Sequence, residues 1–387
     1  MKYTQNFEKL FNQKNKISLH QFDEDFLLKV QNFMPNIDKR IIKQKLDNLT
    51  IDVTLNGSST YDYLTNKVSI LISSIGDFES FAHEVFHALS VKNLEHGTTI
   101  GLRKIIHKKL ENLNTETIIG TALNEGSNTY FTSKFLTFVN GEEFTNLKVA
   151  SFYRFCTNVF ANLVNLIGEE KAKQLHFFGG FDEFVKEVGN ACYRKTDSKI
   201  IKLVSSLDSF FGVSTVNRWI GVDYSLDAKI LLTEAYKSVV DLFIFKGENE
   251  GSILPLNKIL INNYLSSDDF DYFNKQILPE VVKHYDNRIK KTYKSMVKNK
   301  VHISYDIMEK YANILILKAI LGKDINGLIL PEKLKCGEFY NFVLISCSFI
   351  DKNFEREGLK TNDIQRLLTV AFFDKTKNFM PKDDKKW

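Results

Sequence analysis

Asp77-Phe78-Glu79-Ser80-Phe81-Ala82-His83-Glu84-Val85-Phe86-His87-Ala88-Leu89 is the stretch on which the reading of this chain turns. Asp77 is placed to cap a helix. From Phe78 onward the apolar residues Phe81, Ala82, Val85, Phe86, Ala88 and Leu89 fall on nearly every face of that helix, so it must be buried. His83 and His87 stand four residues apart, a spacing that puts both imidazoles on one helical face and aims them at a single point.

The surroundings of this helix set the fold class. Residues 22–33 and 37–46 carry helical patterns, and residues 51–55 alternate with β-branched side chains as a strand does. Asn56-Gly57 marks a turn, and Val68, Ile70 and Ile72 alternate with Lys67, Ser69 and Leu71 in a second strand that leads straight into the motif helix. Residues 93–104 read as a looser segment. Helices are then expected over 118–138, 147–167, 170–177, 199–211, 228–245, 268–300, 305–321 and 361–373. The fold class that follows is α+β, predominantly helical: a first domain over residues 1–200 with a small antiparallel sheet and the motif helix, then an all-α region over 201–387.

Composition agrees with a folded chain of two or three domains. Of 387 residues 43% are hydrophobic and 32 are Phe, while only five are Pro, which leaves room for long uninterrupted helices. A formal charge of +5 spread among acidic residues gives no case for nucleic acid. Cys156, Cys192, Cys336 and Cys347 are far apart and lack C-x-x-C spacing, which argues against a disulfide framework or a thiolate metal site. The apolar run 339–350 is too short to span a bilayer and reads as a buried helix or strand. Residues 1–16 lack the apolar core of a signal peptide, so a cytoplasmic address is expected, with export by a route that reads another signal still compatible.

Two imidazoles make an incomplete zinc site, and two carboxylates complete the chemistry. Glu125, in Leu123-Asn124-Glu125-Gly126, lies on an expected helix 38 residues after His87 and can deliver a third ligand from a separate element. Glu95 and His96, just beyond the motif helix, are the competing third ligands. His, His and Glu leave one coordination position for water, and Glu84, next to the first ligand, is placed to take a proton from that water and pass it to a leaving amine. A donor for the developing oxyanion is also needed, and Tyr153 and Tyr130 are the candidates.

These residues resemble the gluzincin zinc metallopeptidases, and within them bacterial proteins that pair H-E-x-x-H with an N-E-G segment on a later helix. The likeness covers roughly residues 50–189, from the strand approach at Tyr61 to Ile70 through His83–Leu89 and Ala122–Tyr130 to the Tyr153 helix and Phe177-Phe178-Gly179. It implies a zincin-like fold, Zn2+ as cofactor, His83, His87 and Glu125 as metal ligands, and Glu84 as general base. The metzincin alternative fails, because it needs Gly at 90 and His at 93, where Ser90 and Asn93 stand. One departure from the gluzincin pattern is Thr129, which replaces an Asp that often orients a zinc-bound His. The expected activity is hydrolysis of a peptide or protein substrate. The alternative is a catalytically inactive relative that binds a protein partner through its helical C-terminal half.

Overall fold

The computed structural model describes residues 1–15, 17–95, 97–110, 113–141, 149–192, 196–219, 225–250 and 256–298. The expected helices at 305–321 and 361–373 and the apolar run at 339–350 lie outside them, as does His96. The described part is mostly helical with two small sheets, an α+β architecture.

The first sheet contains β1 (Lys2–Tyr3), β2 (Thr50–Thr54), β3 (Thr60–Asp62) and β4 (Lys67–Leu71) in the order β1-β2-β4-β3. The first three of these neighbours run parallel, and β3 pairs antiparallel with β4 in the register Thr60↔Ser69, Tyr61↔Val68 and Asp62↔Lys67. This first sheet differs from the small antiparallel sheet that was expected, which the chain forms as its second sheet. The sheet is mixed, because the helices α1 (Gln5–Lys14), α2 (Leu19–Phe33) and α3 (Lys39–Asp47) carry the chain back between β1 and β2. The strand before the motif helix is interior: the chain turns at Asn56-Gly57 after β2, and β3 then pairs with the far side of β4 and takes the edge.

The motif helix α4 (Phe78–Leu89) follows β4 after a short 3-10 turn. Asp77 caps it, accepting from the Glu79 N–H and the Ser80 hydroxyl. At the other end the Ser90 hydroxyl donates to the His87 carbonyl at 2.8 Å, and Lys45 of α3 reaches the carbonyls of Leu89 and Val91 at 2.5 and 2.7 Å. Between the caps α4 is buried against an aromatic cluster. Phe26 and Phe22 meet Phe81 with ring centroids 5.1 Å apart, and Phe135 lies 5.3 Å from Phe86. The many Phe residues therefore clamp α4 along one side.

The second sheet is an antiparallel meander of β5 (Val91–Leu94), β6 (Gly97–Ile100), β7 (Arg103–Leu110) and β8 (Leu113–Ile119), in sequence order. It occupies the segment expected to be loose. It also delays the next helix: α5 spans Thr121–Asn140, where a start at 118 was expected. Among the described side chains of this region only Ile100, Leu102 and Ile105 are apolar and deeply buried, and Lys, Thr and Arg are frequent in the sequence pattern.

The remaining helices are α6 (Ser151–Ile167), α7 (Glu169–Gln174), α8 (Phe181–Ala191), α9 (Asp197–Trp219), α10 (Leu226–Glu250), α11 (Leu256–Ile259), α12 (Ser267–Tyr272) and α13 (Leu278–Lys298). The chain divides into one compact unit of Met1–Val239 with Asn262–Ile277, and a second of Val240–Ile261 with residues from Leu278 on. The first unit thus passes the expected boundary at 200. The reason is α9, whose Asp208 accepts from the Gly120 and Ala122 N–H groups at 2.7 and 2.8 Å and so caps α5. In the second unit, buried Asp241 pairs with His284 at 2.8 Å and Arg288 at 3.3 Å. No described helix is long and apolar enough to cross a membrane.

Candidate metal centre

α4 and α5 bring three donor atoms together. His83 Nε2 lies 3.5 Å and His87 Nε2 3.3 Å from Glu125 Oε2, and all three atoms fall within 4.8 Å of one another. A zinc ion with bonds near 2.0–2.2 Å in tetrahedral geometry separates its ligand atoms by roughly 3.4 Å, so the donor set fits such an ion in chemistry, and both histidine-to-Glu125 spacings match it. Glu95 is exposed in the turn just after β5 and is not part of this cluster.

The helices are held in register by polar side chains that sequence reasoning had not assigned. Asn124 and Asn128 stand four apart on α5 and face α4. Asn128 donates to the His83 carbonyl at 2.7 Å, and the Asn124 amide lies 3.3 Å from His87 Nδ1. Asn124 is itself oriented, because its oxygen accepts from the Leu102 N–H at 3.1 Å. Gly101, at φ +54°, lets this turn approach; a Cβ there would lie 2.3 Å from Asn124 Oδ1. Next to Glu125, Gly126 lets α5 and α6 touch, since a Cβ at that position would meet the Cys156 carbonyl oxygen at 2.4 Å. The Gly of the N-E-G segment therefore sets the depth at which Glu125 sits.

Charge follows from this packing. Burial alone would raise the Glu125 carboxyl, but the adjacent His87 and His83 bring it well below the ordinary carboxylate range. Glu84 is buried beside the cluster without such donors. Burial pushes its carboxyl up to about 7, with His83 opposing the shift and Glu125 adding to it. One carboxylate is thus held as an anion and its neighbour is poised near neutrality.

His83 and Glu84 open on a cleft of about 390 Å³. Its walls come from Gly57, Ser58 and Ser59 ahead of β3, from Ser74, from Glu79 and Ser80 of α4, from Thr129 and Thr132 of α5, and from Tyr153 of α6 and Arg218 of α9. Tyr153 belongs to the site: burial raises its pKa above the ordinary phenol value, and the nearby Glu125 and Glu84 raise it further. Tyr130 does not. It stands five residues past Glu125, roughly 140° around α5, where its hydroxyl donates to Glu169 at 3.1 Å and its ring packs against Phe160 and Tyr264. Thr129 lines the cleft with His83, and its buried hydroxyl has no hydrogen-bond partner. His176 is buried behind α5, 3.0 Å from the Ser127 hydroxyl, and burial keeps its pKa well below the ordinary value.

No family model, curated protein or solved structure matches this chain.

Proposed function

We propose that this chain is a zinc-dependent peptidase of gluzincin type, with His83, His87 and Glu125 as the metal ligands. The observation that carries the proposal is the meeting of His83 Nε2, His87 Nε2 and Glu125 Oε2 at 3.3–3.5 Å, with buried Glu84 beside them at a cleft. A zincin-like arrangement is supported by the mixed sheet, whose antiparallel strand β3 takes the edge position, and by β4 leading into the motif helix. A purely structural metal site is normally closed by a fourth protein ligand. Among the described residues only three donors cluster here.

When bound, zinc supplies a Lewis acid that polarises a carbonyl and acidifies water. The chain's own groups supply the rest. Glu84, poised near neutrality, accepts the proton of the attacking water and returns it to the departing amine, a role worth about 10²–10⁴ in rate. Tyr153 donates a hydrogen bond to the oxygen on which negative charge develops. The exposed edge at β3 offers backbone N–H and C=O groups to an extended substrate, and the hydroxyls of Ser58, Ser59 and Thr132 line its path.

The test combines elemental analysis and peptide hydrolysis on the full chain. Wild type is expected to carry about one zinc per molecule, with the metal lost in His83→Ala and Glu125→Ala. Glu84→Gln should keep the metal and lose hydrolysis. A wild type that takes up no zinc overturns the metal site. Zinc bound without hydrolysis of any peptide favours the non-catalytic alternative, in which the fold holds a partner.

A further inference from the structure

The cleft has one cationic side chain that the proposed chemistry leaves unused. Arg218, in the last turn of α9, lines the same space as His83, Glu84 and Tyr153, and is the single Lys or Arg to do so. It is exposed, and no carboxylate among the described residues pairs with it. Most long cations on this surface do have such a partner: Lys67 with Asp52, Lys104 with Asp182, Arg154 with Asp269, Lys202 with Glu234. Elsewhere in the cleft the walls carry hydroxyls and the carboxylates of Glu79 and Glu84, so away from the proposed metal ligands an incoming anion finds one favourable place. The guanidinium also acts electrostatically on the Tyr153 hydroxyl, which places its field at the reacting end of the cleft.

We propose that Arg218 selects substrates bearing a carboxylate close to the scissile bond, either an acidic side chain or the free C-terminus of a peptide. The planar guanidinium offers paired N–H donors that match a carboxylate, and an amide of the same shape satisfies them poorly. This inference rests on the peptidase reading for its catalytic consequence, but the binding it describes does not need turnover.

The experiment uses the zinc-loaded full chain and three matched peptide sets: interior Asp or Glu with an amidated C-terminus, the corresponding Asn or Gln peptides, and neutral peptides ending in a free or an amidated carboxyl group. The readout is the ratio of kcat/KM for acid over amide. A ratio of about 10 to 100 is expected in wild type. Arg218→Ala should bring it near unity, Arg218→Glu should invert it, and rising salt should shrink it. Whichever set shows the ratio identifies the source of the carboxylate. The same pairs are titrated calorimetrically against Glu84→Gln with and without Arg218→Ala. Hydrolysis without discrimination overturns the inference and leaves the peptidase standing. Arg218-dependent binding of acidic peptides without hydrolysis in wild type keeps the inference and overturns catalysis. Neither hydrolysis nor discriminating binding overturns both.

Discussion

Asp208→Ala tests whether Glu125, the proposed third ligand, is held in place from a distance. The carboxylate accepts two backbone N–H groups, Gly120 at 2.7 Å and Ala122 at 2.8 Å, at the start of α5. Gly120 has no capping side chain of its own. Hydrogen bonds to a charged group contribute about 1.5–3 kcal/mol each, which sets an upper figure of about 3–6 kcal/mol. Burial raises the Asp208 carboxyl pKa despite those two donors, so desolvation offsets part of the gain. Cap removals typically cost about 0.5–2 kcal/mol, and the expected cost here, with two donors orphaned, is about 2–3 kcal/mol. Hydrogen exchange over residues 121–131 is the direct assay, because the loss is local to the first turns of α5. The expected acceleration is about 30- to 150-fold. Asn124 and Glu125 lie in that same stretch, so zinc affinity should fall with it. Asp208→Asn, which keeps one acceptor, should fall between wild type and Asp208→Ala. Unchanged exchange in the Ala variant, with unchanged zinc affinity, would refute the claim that α9 fixes the start of α5.

Other perturbations probe the site from different sides. Gly126→Ala puts a Cβ 2.4 Å from the Cys156 carbonyl oxygen, and the forced shift of α5 from α6 should cost about 1–3 kcal/mol in urea unfolding and weaken zinc binding; an affinity equal to wild type would show that the helices yield without moving Glu125. Asn124→Ala removes the amide 3.3 Å from His87 Nδ1 and should weaken zinc about 10- to 100-fold in a chelator competition titration. Tyr153→Phe should lower kcat about 10²- to 10³-fold with little change in KM, whereas Tyr130→Phe, which loses its hydroxyl's bonds to Glu169 and Tyr264, should leave kcat within about twofold; equal losses in both would deny Tyr153 a special place.

The parts of this molecule that were legible in sequence are those whose meaning is local. α4 announces itself by Asp77, by continuous apolar burial and by the four-residue spacing of His83 and His87, all within one helix. Glu125 was legible because its own segment was helical and carried a carboxylate. The β5 to β8 meander was missed because it buries few apolar side chains: Thr98 and Thr99 are buried beside Ile100, and Lys104 stands in β7. Alternation of hydrophobicity, the signal for a half-buried strand, is therefore nearly absent. β4 is legible as a strand from its own alternation, but its interior place is not, because pairing order depends on where β3 returns rather than on β4 itself.

The distinction between Tyr153 and Tyr130 is of the same kind. Both are aromatic residues on helices that follow the motif in sequence, and their local sequence does not separate them. What separates them is the rotation of α5 about its axis, which is set by Gly126 against Cys156 on one side and by Asn124 and Asn128 against α4 on the other. Those contacts also explain why α5 shows almost no amphipathic pattern: Asn124, Ser127, Asn128, Thr129, Thr132 and Ser133 are all buried. Burying that many polar groups costs stability unless each finds a partner. Most do, in His83, His87, His176 or the helix's own carbonyls. A helix built only to pack would spend those positions on Leu and Val, as the back of α4 does with Phe. The polar face of α5 is therefore the structural cost of holding two histidines and a glutamate at one point.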